Sequence, residues 1–332
     1  MNTVMTDSEY GVELTPAAAA QFAETFSRLT ENIGEAVLGT EHAVRLTLTA
    51  FLAQGHMLLE GAPGTGKTSL ARSLAASVSG SHQRIQFTPD LLPSDVTGVT
   101  IFDQQDSRFV FHRGPIFASI VLADEINRAS PKTQSALLEV MEEARVTVDG
   151  ERHDVGSPFF VIATQNPIEQ AGTYRLPEAQ LDRFIMKTSL GYPDHHHAVR
   201  ILAGAAERDR AGRVQPLITT EDVNRLSAQA ALVYVADPVL DYAARLIDAT
   251  RTDAHTSLGV SVRGGLALVR CAKVWAVAAG RNYVLPDDIK VLAEPVLAHR
   301  ILLDADAEFS GVTTSQVVAR ILEEVAPPVT RD

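Results

Sequence analysis

Apolar positions along this chain follow two rhythms. Short apolar runs occur at HMLLEG (56–61), RIQF (84–87), SIVLADE (119–125), FFVIATQN (159–166) and RFIMKTSL (183–190). Runs of this length separated by helical stretches predict a mainly parallel sheet covered by helices. Two further segments read as hairpins. VTIFDQQDSRFVF (99–111) places polar residues between β-rich arms, and RVTVDGERHDV (145–155) carries Asp149-Gly150, a strong tight-turn signal. Ahead of the first strand, Thr15-Pro16 predicts a helix N-cap followed by proline at the first helical position, with an amphipathic pattern running towards Ile33.

The texture changes after Tyr192-Pro193-Asp194 to Ala- and Leu-rich helical sequence. Leu240, Ala243, Ala244 and Ile247 form the i, i+3, i+4, i+7 stripe of a core-facing helix. Residues 262–279 are apolar on most sides and predict a helix central to a bundle. The expected organisation is a polar, frayed tail at 1–14, an α/β domain at 15–192 and a smaller all-α domain at 193–332. There is no internal repeat, and the only biased segment is the alanine run at 17–20.

Composition narrows the function classes. The 332 residues are 45% hydrophobic and 21% charged, which supplies a core and excludes a disordered chain. A net charge of -12 argues against a surface that grips nucleic acid through its phosphates, although a local basic patch stays open. The single cysteine, Cys271, excludes an intramolecular disulfide framework and a cysteine-based zinc site. No apolar run reaches the roughly 18 residues of a membrane span, and MNTVMTDSEYGVEL lacks the basic flank and apolar core of a signal peptide. A soluble protein of the cytoplasm, not bound to a membrane, is expected.

The chemistry is concentrated at three strand ends. Gly61-Ala62-Pro63-Gly64-Thr65-Gly66-Lys67-Thr68 fits G-x-x-x-x-G-K-[ST], preceded by an apolar strand and followed by a helix-forming run from Ser69. Such a loop turns backbone N–H groups inward around a phosphate. Its lysine reaches the β- and γ-phosphates, and its Thr hydroxyl ligates Mg²⁺ at a helix N-terminus that favours the anion. The strand Ile120–Ala123 ends in Asp124-Glu125, carboxylates placed where a doubly wound sheet builds its ligand site. Asp124 is expected to hold Mg²⁺ through water, and Glu125 to orient and deprotonate the attacking water. Ile162-Ala163-Thr164-Gln165-Asn166 presents an amide at the next tip, which can reach a γ-phosphate or the lytic water. By itself a terminal Asn is more often a cap or turn residue, and the signal here comes from its position one strand after the acidic pair.

Together these features resemble an AAA+ ATPase. More closely, QFTPDLLPSDVTG (86–98), DEINRASPKTQSALLEVMEE (124–143), ATQNP (163–167) and LPEAQLDRF (176–184) resemble the MoxR family over about residues 30 to 310. The resemblance implies an α/β P-loop core with a five-stranded parallel sheet, two inserted β-hairpins and an all-α lid. It assigns Asn166 to sensor 1, Arg183 to the arginine finger that completes a neighbour's site, and Arg263 to sensor 2, in cis or in trans. A guanidinium suits such work because it stays charged and spreads its donors over phosphoryl oxygens. Val37-Leu38-Gly39 resembles the family's adenine-side turn, with simple helix packing as the other reading. Arg175 stands where relatives usually carry proline, which implies a less rigid loop before the finger.

The cofactors implied are ATP and Mg²⁺. The partners implied are further copies of the chain in a hexameric ring and a protein with a von Willebrand factor A-type domain, served in chaperone-like maturation or metal-cofactor insertion. The motor subunit of a magnesium chelatase is the alternative, disfavoured by the QFTPDLLPSDVTG wording. A DNA motor is disfavoured by charge, and a non-hydrolysing switch by the presence of Lys67, Glu125 and Arg183. Several features read as bland. His195-His196-His197 are expected to point in different directions, Phe109 and Phe111 to pack within their hairpin or grip a client, and Cys271 to be inert core. Arg113 and Arg128 flank the acidic strand without an assigned role.

Overall fold

The computed structural model describes residues 13–61, 64–166, 173–203 and 211–328. Five strands make the central sheet: β1 (Met57–Glu60), β2 (His82–Gln86), β5 (Ile120–Asp124), β8 (Phe160–Gln165) and β9 (Met186–Ser189), in the order β2-β5-β8-β1-β9. All neighbours pair in parallel. Each strand overlaps an apolar run seen in the sequence; β1, β5 and β8 are buried almost throughout, whereas β2 at the sheet edge buries only Ile85. Between the strands stand α3 (Lys67–Ser77), α4 (Pro93–Thr97), α5 (Pro131–Glu143) and α6 (Glu178–Leu181), and ahead of them α1 (Pro16–Gly34) and α2 (Glu41–Leu52). Among the described residues no helix is long and apolar enough to cross a membrane.

Period-two alternation decides which side each strand residue serves. Met57, Leu59, Leu122 and Ile162 face one core, and Leu58, Val121, Val161 and Ala163 face the other, with Leu137 and Leu138 of α5. The first core does not stop at the α/β domain. It continues through Phe22, Phe26 and Leu29 of α1 into the helices that follow residue 194. Helix α1 packs against α2 and α3 and also against α10 (Val262–Ala278), and Arg45 of α2 lies over the Trp275 ring at 4.9 Å. Leu14, expected in the frayed tail, is buried, and its carbonyl accepts from Asn282 at 3.1 Å.

The two hairpins form as read. β3 (Gly98–Asp103) pairs with β4 (Arg108–Arg113), and β6 (Arg145–Val148) with β7 (Glu151–Asp154). Asp149 and Gly150 take φ of 51° and 83°, the positive pair of a type I′ turn. The C-terminal part contains α7 (His195–Ala203), α8 (Thr220–Ala231), α9 (Asp237–Thr252), α10 (Val262–Ala278), α11 (Pro286–Leu297), α12 (Ala305–Phe309) and α13 (Thr314–Glu324). A short antiparallel ladder, β10 (Thr256–Leu258) with β11 (Leu302–Leu303), interrupts its otherwise helical character.

Candidate active site

Gly61 follows β1 directly, and Gly64 and Gly66 take φ of +81° and +97°, where any side chain is strained. Ala62 and Pro63 lie outside the described residues. Gly66 is also the N-cap of α3 and brings no capping side chain, and Lys67, Thr68 and Ser69 of the helix's first turn line the cleft. The cleft is about 350 Å³ and is lined by residues 64–69 together with Asp124, Glu125, Thr164, Gln165 and Asn166. Lys67 Nζ donates to the Gly61 carbonyl at 2.7 Å. Burial lowers its pKa, an effect only partly offset by the nearby Asp124 and Glu125.

Thr164 organises the two acids. Its hydroxyl donates to Asp124 Oδ1 at 2.6 Å, and its oxygen accepts the Glu125 N–H at 2.9 Å. Glu125 is held at φ 57°, ψ 50°, a left-handed conformation costing on the order of 1–2 kcal/mol for a side-chain-bearing residue. That turn aims its carboxylate away from the strand line. Each acid also carries a partner that sequence reading missed: Arg84 Nη2 lies 2.7 Å from Asp124 Oδ2, and Gln86 Nε2 donates to Glu125 Oε2 at 2.8 Å. Arg128 Nη1 reaches the same Glu125 oxygen at 3.0 Å. Asn166 is buried at the next tip and lines the same cleft.

Val37 and Leu38 line a separate hollow of about 690 Å³ together with residues of α1, α2 and α7. It adjoins the loop, because a Cβ at Gly66 would meet Val37 Cγ1 at 3.4 Å. Both compartments lie at the carboxyl ends of the strands.

Arg183 and Arg263 lie elsewhere. The Ile185 N–H donates to the His56 carbonyl at 2.8 Å, which places the turn carrying Arg183 at the amino end of β1. Strand rise sets the loop lysine and Arg183 roughly 15–20 Å apart along the sheet, beyond the reach of an arginine side chain. Arg183 Nη2 and Arg263 Nη1 instead meet the two oxygens of Glu142, at 3.1 Å on Oε2 and 3.0 Å on Oε1. Beneath them the buried Arg300 donates to the Phe184 carbonyl at 2.7 Å and the Ile185 carbonyl at 3.3 Å.

The donor set suits a magnesium-bound triphosphate. Open backbone at the glycines and uncapped helix N–H groups fit phosphate oxygens. Thr68 and Asp124 offer the hard oxygens that Mg²⁺ takes alongside retained waters.

Comparison with known proteins agrees with this geometry. Residues 56–186 match the ATPase family associated with various cellular activities (AAA), and residues 248–321 match the AAA lid domain. The chain is 46% identical over 301 residues to YeaC of Bacillus subtilis, covering 91% of this chain and 94% of that protein. It is 39% identical over 317 residues to Chaperone MoxR1 of Mycobacterium tuberculosis, covering 92% and 82%. A crystal structure described as an ATPase from Cytophaga hutchinsonii superposes with a TM-score of 0.87 at 37% identity, covering 94% and 97%. The chain belongs to the MoxR family of AAA ATPases. It is therefore an ATP hydrolase with a MoxR-type core and lid, and its family binds nucleotide.

Other candidates in this MoxR ATPase fall into place by packing. Phe111 stacks on His153 at 4.1 Å, joining the two hairpins, whereas Phe109 stays 74% exposed beside Phe102 at the hairpin's outer end. Arg113 lies over Phe117 at 5.2 Å. The three histidines do not all diverge as expected. Donor atoms of His196, His197 and Asp194 fall within 4.8 Å of one another, because the first turn of α7 folds back on Asp194, which accepts the His197 N–H at 2.8 Å. Cys271 is buried in α10, and burial pushes its thiol up to about 12.

Proposed function

We propose that this MoxR ATPase forms a ring, hexameric by family analogy, in which each nucleotide is held by one protomer and hydrolysed when its neighbour contributes Arg183 and Arg263. The supporting observation is the separation between the strand-end cleft and these two arginines within one chain. A protomer whose phosphate loop and finger sit at opposite ends of its sheet needs a head-to-tail neighbour, and such heterologous contacts give a ring when the rotation between neighbours closes. In this reading residues 15–192 are the nucleotide-binding domain and 193–332 the lid, with Arg263 acting in trans.

Within the cleft, residues 61–69 bind the phosphates, with Lys67 on the β- and γ-oxygens, and Val37 and Leu38 flank the adenine. Thr68 and Asp124 would hold Mg²⁺, which neutralises phosphate charge when bound. Glu125 accepts the proton of the attacking water, and Asn166 orients that water or the γ-phosphate. Arg183 stabilises the charge developing on the transferring phosphoryl group, an effect worth roughly 10³–10⁵ in rate. Hydrolysis moves the lid and the exposed hairpins, whose Phe102 and Phe109 supply an apolar grip, and so remodels or matures a client in the cytoplasm. A partner with a von Willebrand factor A-type domain, and metal-cofactor insertion as the task, are extensions from the family.

The test is assembly and capture with Glu125→Gln held in ATP. A ring of about six subunits by sedimentation, retaining nucleotide and co-purifying its partner, is the expected result. A monomer at every protein and nucleotide concentration would refute it.

A further inference from the structure

We infer that Glu142 is the positioning residue that makes Arg183 and Arg263 a single composite cation for the neighbouring site. This rests on the shared-site reading above and names the group that organises its donating side. Both guanidinium groups meet one carboxylate through different oxygens, 3.1 Å for Arg183 and 3.0 Å for Arg263. Two cations presented side by side repel, and an anion between them both cancels that repulsion and fixes their relative orientation.

Three observations make this more than a casual surface pairing. First, the participants are far from buried, with side chains 28%, 48% and 42% exposed for Arg183, Arg263 and Glu142. Exposed pairs add little to folding stability, so folding does not explain the arrangement. Second, the three residues come from three elements: the turn before β9, the first turn of α10 and the last turn of α5. Third, the backbone under both arginines is set by one buried group. Arg300 bonds the carbonyls flanking Arg183, and its Cδ lies 2.8 Å from where a Cβ on Gly264, next to Arg263, would stand. The scaffold thus fixes where the two side chains start, and Glu142 fixes where they end. Its own helix is anchored at the same edge, with the Met141 carbonyl 2.9 Å from His56 Nε2.

The experiment uses the full chain under ring-forming conditions, comparing Glu142→Gln with wild type and in mixtures. Glu142→Gln should keep its melting temperature and its KM for ATP while kcat falls by roughly 10- to 100-fold, as for other residues that orient catalytic groups. Mixed with Lys67→Ala subunits it should regain turnover, because its own pocket is intact and the partner lends an ordered pair of arginines. Mixed with Arg183→Ala subunits it should regain none, since both donate defectively. An unchanged kcat, or rescue by Arg183→Ala, would overturn the role of Glu142. Failure of Arg183→Ala to be rescued by Lys67→Ala would instead overturn the shared site itself.

Discussion

The Arg300 guanidinium lies 2.7 Å from Asp182 Oδ1, so a buried cation of the lid holds the turn that carries Arg183. The side chain of Arg300 is 3% exposed and also bonds the Asp182 and Phe184 carbonyls. Because lid and core are joined here, the position of the lid and that of Arg183 are coupled. Arg300→Leu should destabilise the protein by about 3–5 kcal/mol, since it strands Asp182 and several carbonyls without their donor. Urea unfolding checks this; a loss below about 1 kcal/mol would show the contact to be dispensable.

Thr164 governs both acids with one hydroxyl. Thr164→Val keeps the shape of β8 but removes the donor to Asp124 and the acceptor for the Glu125 N–H. Turnover should fall on the order of 10- to 100-fold with ATP affinity reduced much less. Steady-state kinetics alongside nucleotide titration separates the two effects.

His56 sets a pH dependence of stability. Burial lowers its pKa to about 4, an effect partly opposed by its hydrogen bond to the Met141 carbonyl. The unfolded chain takes up this proton near the ordinary value of about 6.5, while the folded chain resists it. Stability from this group is therefore complete above pH 6.5 and declines as pH falls towards 4, by at most about 3 kcal/mol. Unfolding free energy measured across that window should show the decline, and His56→Gln should flatten it.

The glycine-rich turn into α3, the acidic pair at the end of β5 and the Asp149-Gly150 turn were legible as structure because each is contiguous and its geometry follows from its own residues. The partners that tune them were not. Arg84 and Gln86 meet Asp124 and Glu125 across 40 and 39 residues, and Arg263 meets Glu142 across 121. Nothing local in RIQF or in VMEE distinguishes a solvated charge from one facing the site. Arg300 was equally hidden, since its burial depends on a turn 118 residues away. The β10–β11 ladder spans three and two residues, too few to show a period of two. Likewise α1 reads as part of the α/β domain, and only packing reveals its contact with α10.

The central claim is that one catalytic site needs two protomers, and subunit mixing tests it most directly. Lys67→Ala lacks phosphate binding but keeps its arginines; Arg183→Ala binds ATP but lends no finger. Each alone should be inactive. Combined in equal amounts, about a quarter of the head-to-tail interfaces join an intact pocket to an intact finger, and turnover should return to a corresponding fraction of wild type. Mixed rings as inactive as the separate variants would contradict the account.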